Sequence, residues 1–421
     1  MTDDRKLVAM EEGMELFNRY ANSLNVVIIS QIKGFLDPEV LRKSLDLVQI
    51  RHPRLNSHIV EVLDNFIFKT EGTKQIPLKV VLNSSPEYWQ TLVIDELSTK
   101  IDSEKVLVRV TLIKASEKST NNYLITTIHH AIADAMCGIY LHSEIISFCQ
   151  KIASNNQIPQ VNQLESYPSL EKIIANYIVE NEELPKLNRQ IDTLPFEKYV
   201  PHQQRRCGLI QKQLNTDFTE QIIERSRQEK TTVHGAICSA MMLALAKHLK
   251  KENKDFYFSC RSSVDMRRRV YPPVGDENIA MLVSALNSFH TVNNETSFWD
   301  LARQVTAQVK ARLKTPEIYN VILSYREGTK YILNNPERSY LSIFVTNIGK
   351  VKISSDYGLF QLEKISYAVS LNVLGSVFSV AVSTFENKMI LNFIYSQPIL
   401  SQDTVNALVN STISILCRVT Y

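Results

Sequence analysis

The residues best suited to chemistry are two adjacent histidines, His129 and His130, with Asp134 four positions beyond the second, inside the run YLITTIHHAIADAMCG (Tyr123–Gly138). An imidazole removes a proton from a weak nucleophile near neutral pH because its unperturbed pKa lies close to that range. Leu124, Ile125 and Ile128 among threonines read as a buried strand, and residues just past a strand end are where a rigid scaffold presents a side chain to a cleft. His130 stands there as a candidate general base. Asp134 then has two possible roles. It hydrogen-bonds a ring nitrogen, as the third member of a triad does, or it turns away and fixes the loop through an ion pair with a distant arginine. Two other readings of the pair remain open: histidines that serve packing only, and metal ligands. The metal reading is disfavoured, since adjacent histidines cannot both face one ion from a regular helix and no Cys/His cluster joins them. Cys137 as a nucleophile is disfavoured too, because a helix beginning near Asp134 would set its position.

The elements that must hold these residues alternate between strand and helix. After a helix in AMEEGMELFNRY, strands are predicted at Asn25–Lys33, Phe66–Lys69, Pro77–Leu82, Lys105–Lys114 and Tyr123–Ile128, with a helix over Ala133–Ile152. Asp37 and Pro38 supply an N-cap and a first-turn proline to a helix whose Val40, Leu41, Leu45 and Val48 share one face. The charged, proline-bearing stretch Asn181–Gln204 reads as a linker. Beyond it come a strand at Gly208–Leu214, helices at Thr216–Gln228 and Thr232–Leu249, a strand at Asp255–Ser262 and an amphipathic helix from Phe298 to Leu313. Strands at Leu341–Thr346, Ser376–Phe385 and Met389–Tyr395 and a final helix, Asp403–Cys417, complete the chain. The fold class is therefore α/β, with an N-terminal half over 1–180, a linker over 181–204 and a C-terminal half over 205–421.

A chain of 421 residues with 44% hydrophobic content suits two domains. The net charge of +3 is dispersed, without a basic tail, so nucleic acid is not an expected partner. No apolar run approaches the ~18 residues that span a bilayer, and no signal-like segment opens the chain. A cytoplasmic location is expected. The six cysteines lack CxxC pairs and read as free buried thiols of a reducing compartment.

HHAIADA resembles the HHxxxDG signature of the CoA-dependent acyltransferase superfamily, which includes chloramphenicol acetyltransferase, plant BAHD enzymes, peptide condensation domains and polyketide-associated acyltransferases. Ala135 stands at the motif glycine. Further resemblances follow in family order: the opening helix, IRHPRLNSHI (Ile50–Ile59) with Asn56 at the second arginine of RHExLR, TVHGAICSAMMLALAK (Thr232–Lys247), VDMRRRVYPPV (Val264–Val274) like DxRxRxxPP, and FVTNIG (Phe344–Gly349). No DFGWG appears, which sets the chain apart from the plant branch. The resemblance is nearest to the polyketide-associated (phthiocerol dimycocerosyl) and alcohol acetyltransferase branches.

That resemblance implies two similar chloramphenicol-acetyltransferase-like domains with a tunnel at their interface. It implies an acyltransferase without a bound cofactor, whose donor is an acyl-CoA or a phosphopantetheinyl carrier protein and whose acceptor is an alcohol or an amine. An acyl carrier protein or synthase is the implied partner. Ester formation is the leading expectation. A free-standing condensation domain making an amide, or a non-catalytic docking member, are the alternatives. His130 would act by direct attack chemistry as base, and Arg267 would pair with Asp134. In an extended segment, alternation puts Arg267 and Arg269 on one side and Arg268 on the other. Asn347 and Ser376 are candidate oxyanion donors, and His129 is a further candidate for substrate contact.

Overall fold

The computed structural model describes residues 4–155, 157–175, 189–249 and 255–420. Two open sheets dominate, as the α/β reading requires. The first contains, in spatial order, Gln361–Val369, Asn25–Lys33, Asn121–His129, Val108–Lys114 and Leu78–Leu82. The second contains Val283–Val292, Phe256–Asp265, Ile343–Lys350, Phe378–Phe385, Lys388–Gln397 and Arg206–Gln213. A small sheet of Arg5–Lys6, Asn65–Lys69 and His58–Val62 lies beside the first.

Local chemistry accounts for many of these elements. The Asp37 carboxylate accepts from the Glu39 and Val40 amides at 2.7 and 3.3 Å, so the helix Pro38–Arg51 starts where its cap and proline predict. The helix Ala135–Asn155 lies close against the first sheet. A Cβ on Gly138 would come within 2.7 Å of Ile28, so only glycine permits this approach. Within that interface His142 is held from both sides, Nδ1 by Ser30 and Nε2 by Thr126, each at 2.7 Å. Burial pushes its pKa down to about 3, which leaves a neutral structural histidine.

The linear pattern left several elements unannounced. Strand Gln361–Val369 lies well past the expected linker, yet it is an edge of the first sheet, antiparallel to Asn25–Lys33. The second half therefore lends a strand to the first. Strand Val283–Val292 and helices Glu317–Leu323 and Tyr325–Asn334 were also not anticipated. In VSALNSFHTV polar residues interrupt the alternation, and the buried Ser284, Ser288 and His290 find partners only in the folded chain. Of the expected linker, 181–188 lie outside the described residues. The rest is irregular apart from one short turn of helix, but it packs: Leu194 is buried, the Asp192 amide donates to Tyr257, and the Glu197 amide donates to Ile399. Among the described residues no helix is long and apolar enough to cross a membrane.

Candidate active site

Strand Asn121–His129 ends at the first histidine, and a short turn carries His130, Ala131, Ile132 and Ala133 to the start of the helix at Ala135. The turn separates the two rings. His129 is sealed inward, where its Nε2 donates to Glu15 of the first helix at 2.8 Å and its Nδ1 accepts the Ala131 amide at 3.1 Å. Burial opposes ionisation of Glu15, yet donors from His129, Arg19 (2.5 Å) and Ser103 (2.7 Å) outweigh it and hold its pKa below the ordinary value. His129 is thus a structural residue with both nitrogens used, and it is not among the groups lining the cavity.

His130 faces the other way, into a cavity of about 680 Å³ between the two sheets. Its Nδ1–H donates to the Ala133 carbonyl at 2.8 Å, which fixes the tautomer and leaves the Nε2 lone pair without a protein partner among the described residues. Burial lowers its pKa, against smaller opposing contributions from the Ala133 carbonyl and the Asp134 charge. The ring is therefore neutral at physiological pH and able to accept a proton.

Asp134 takes the second of its two possible roles. Its carboxylate does not touch the imidazole; it receives Arg267 Nη1 at 2.7 Å and Nη2 at 3.0 Å, the Leu282 amide at 3.1 Å and the Cys137 amide at 3.2 Å. Burial alone would raise its pKa, but Arg267 and the two amides bring it below the ordinary value. The arginine in turn is pushed up by the same pair. Since Arg267 and Leu282 come from the second half, this bidentate pair fastens the histidine turn across the interface.

The expected alternation of the three arginines does not hold. Residues 267–269 form a turn, closed by the Arg269 amide on the Met266 carbonyl at 2.9 Å, so Arg267 is buried while Arg268 and Arg269 are both exposed. Ser376 also falls away from the site. It is fully buried, donates to the Leu194 carbonyl and does not line the cavity, so it cannot meet an oxyanion there. Asn347 does line it. A bulge between Asn347 and Lys350, with Gly349 at φ +69°, turns the strand end, and Asn347 Oδ1 accepts the Gly349 amide at 2.8 Å. Its Nδ2 has no protein partner among the described residues.

Cys137 lies outside the cavity lining, and burial pushes its thiol up to about 12, far from a thiolate at neutral pH. Ala135 takes ordinary right-handed helical backbone and lines the cavity, so its methyl group narrows the space without strain. Several polar lining residues were missed from sequence, three of them as follows. Tyr140 donates to Asp276 across the halves at 3.0 Å, and Tyr367 on the crossing strand donates to the Thr346 carbonyl at 2.9 Å. Arg261 is the third. Tyr140 sits in the helix directly after the motif, a signal within reach; the other two lacked one.

Comparison with known proteins bears on the sequence likeness and the fold. Residues 203–396 match the family described as "Phthiocerol/phthiodiolone dimycocerosyl transferase C-terminus". A phthiocerol/phthiodiolone dimycocerosyl transferase of Mycobacterium leprae is 21% identical over 318 residues, covering 72% of this chain and 73% of the relative. Polyketide synthase associated protein 5 of Mycobacterium tuberculosis superposes with a TM-score of 0.73 at 17% identity, over 99% of this chain and 97% of that one. The trichothecene 15-O-acetyltransferase TRI3 of Fusarium sporotrichioides gives 0.75 at 13% identity, over 99% and 95%. The epimerization domain of tyrocidine synthetase B gives 0.71 at 14% identity, over 100% and 96%. At these identities the structural likeness concerns the fold.

Proposed function

We propose, for a chain whose sequence and fold match the CoA-dependent acyltransferase superfamily, that it moves an acyl group from a CoA or carrier-protein thioester to an alcohol, with His130 as general base. The observation that carries this reading is the neutral His130 ring, its Nδ1–H held by Ala133 and its Nε2 open to a cavity between the halves. An acceptor hydroxyl gives its proton to Nε2 as its oxygen attacks the thioester carbonyl. The tetrahedral oxyanion collapses, the C–S bond breaks, and the leaving thiolate takes the proton back from the imidazolium. Ester and thiol are the products. Asn347 Nδ2 is the donor available to the oxyanion, where one such hydrogen bond contributes roughly 3–4 kcal/mol.

Direct transfer is supported by the unsuitability of Cys137, the sole cysteine next to the motif, as a nucleophile. The donor reading is supported by the exposed cations at the cavity rim. Arg268, Lys350 and Lys352 line it and Arg269 lies beside them, a set suited to the phosphates of CoA or an acidic carrier. Amide formation is the second reading, favoured by the structural likeness to condensation domains. Incubation with a panel of acyl-CoA and acyl-carrier donors and of alcohol and amine acceptors, with mass detection of products, separates the two. Initial rates should be sequential in donor and acceptor, and donor alone should leave no acyl group on the protein. Ping-pong kinetics or a stable mass increase on Cys137 would overturn direct transfer.

A further inference from the structure

Among the described residues, the fully buried arginines and lysines are spent on protein partners, Arg54 over the Phe68 ring among them. Arg267 has Asp134. Arg205 is spent on the backbone carbonyls of Val200, Val373 and Pro336, and the Lys114 ammonium on the Leu36 carbonyl at 3.0 Å. Arg261 lines the cavity and, among the described residues, has neither an ion pair nor a hydrogen-bonded carbonyl. The nearby carboxylate of Glu317 is already held by Arg312 at 2.6 Å.

The surroundings of Arg261 carry further unmet polarity. Asn287, its partner across the antiparallel strand pair, has a buried Oδ1 without a hydrogen bond, and Thr329, 2% exposed, has a buried Oγ1 without one. Both line the cavity, as does Tyr325, whose hydroxyl burial pushes up to about 12 and keeps as a donor. Leaving several such groups bare in a desolvated place is costly unless something fills it. A carboxylate would meet the donors among them: guanidinium matches it in a planar, two-pronged contact, and the Thr329 hydroxyl and the neutral Tyr325 phenol add donors, while Asn287 Oδ1, itself an acceptor, takes no part in holding it.

We infer that this corner of the cavity binds a carboxylate carried by a substrate, with Arg261 as the specificity-determining residue. The inference deepens the acyl-transfer reading and rests on it for the word substrate. Arg261 and Asp265 share one face of their strand, and Asp265 contacts the Arg267 that pairs with Asp134 at the motif. Four strand residues span roughly 13 Å, so the carboxylate sits several bonds away from the reacting hydroxyl or acyl carbon. The chemistry fits two sources, an acceptor such as an ω-hydroxy acid or an acyl chain ending in a carboxylate.

Matched ligand pairs test it. For the acceptor, calorimetric titration compares 8-hydroxyoctanoate with octane-1,8-diol; for the acyl chain, octanedioyl-CoA is compared with octanoyl-CoA. Each is titrated into the unaltered protein, Arg261→Met and Arg261→Lys. The charged member of one pair should bind about tenfold to a hundredfold tighter to the unaltered protein. Arg261→Met should abolish that preference while retaining affinity for the neutral member, and Arg261→Lys should restore part of it. The pair that shows the preference identifies the source. Equal binding within both pairs overturns the inference, as does a preference that survives Arg261→Met. Should that variant fail to fold, as judged by circular dichroism, Tyr325→Phe is titrated instead and should reduce the preference; an unchanged preference counts against the site. Repeating the titrations with His130→Ala separates the two ideas. Carboxylate preference without any transfer by the unaltered protein would break the acyl-transfer reading alone, and transfer without preference would break this inference alone.

Discussion

His129 and His130 are adjacent in the chain and occupy opposite environments. Behind the strand end, His129 belongs to a closed network with Glu15, Arg19 and Ser103 in which both of its ring nitrogens and both Glu15 carboxylate oxygens have partners. In front of it, His130 keeps one nitrogen without a partner among the described residues, above an interface cavity. Saturated hydrogen bonding makes a group inert and rigid, whereas an unsatisfied, desolvated nitrogen is a reagent. The same contrast separates the arginines Arg267, closed on Asp134, and Arg261, open to the cavity.

Breaking the open side should have the largest effect. His130→Ala is expected to lower kcat by ~10²–10⁴-fold with unchanged circular dichroism; an unaltered rate would remove His130 from the chemistry. Next comes the pair that positions the turn. Asp134→Asn or Arg267→Met leaves one buried member uncompensated and should cost roughly 3–5 kcal/mol in denaturant unfolding. A double-mutant cycle should show strong coupling, and additive losses would mean that the contact does not form in solution.

The closed side should behave differently. His129→Ala should lower the melting temperature through the stranded Glu15 carboxylate but change kcat far less than His130→Ala, and equal kinetic losses would erase the distinction between the rings. Glu15 has a folded-state pKa below its ordinary 4.5. Its contribution to stability is therefore present above that value and lost as pH falls through the lower folded value. Glu15→Gln should flatten this part of the stability profile, which acid titration of the unfolding midpoint measures. For His130 the shift predicts that the acid limb of kcat/KM lies below 6.5, because the base stays unprotonated further into acid. A limb at or above 6.5 would assign that ionisation elsewhere.

The smallest effect is expected from Ala135→Gly. It removes a methyl group at the cavity wall, so bulkier acceptors should gain by a few-fold, at a helix cost of up to about 1 kcal/mol. Acceptor profiling before and after the change would show whether that wall limits size.

Legibility followed the range of the interactions involved. The Asp37 cap, the strand into His129 and the helix after Asp134 rest on neighbours in the chain, and each was readable. The partnership of Arg267 with Asp134 was reached through resemblance, and the bidentate contact now supplies its physical basis. Ser376 and the alternation of Arg267 to Arg269 failed for one reason: both assumed a local conformation that distant contacts replaced, the Leu194 carbonyl in one case and a closed turn in the other.

What the sequence determined by itself was a base, an acid beside it and alternating elements able to present them, because residue type and spacing encode hydrogen-bonding capacity and periodicity. Only the tertiary structure decided which histidine faces the cavity, where Asp134 turns and that Arg261 has no ion pair among the described residues. Those outcomes depend on Glu15, Leu282 and the crossing strand Gln361–Val369, which reach the site from far along the chain. A side chain's reactivity is set by which of its polar atoms remain unsatisfied after every segment has packed, and that remainder is a property of the whole fold.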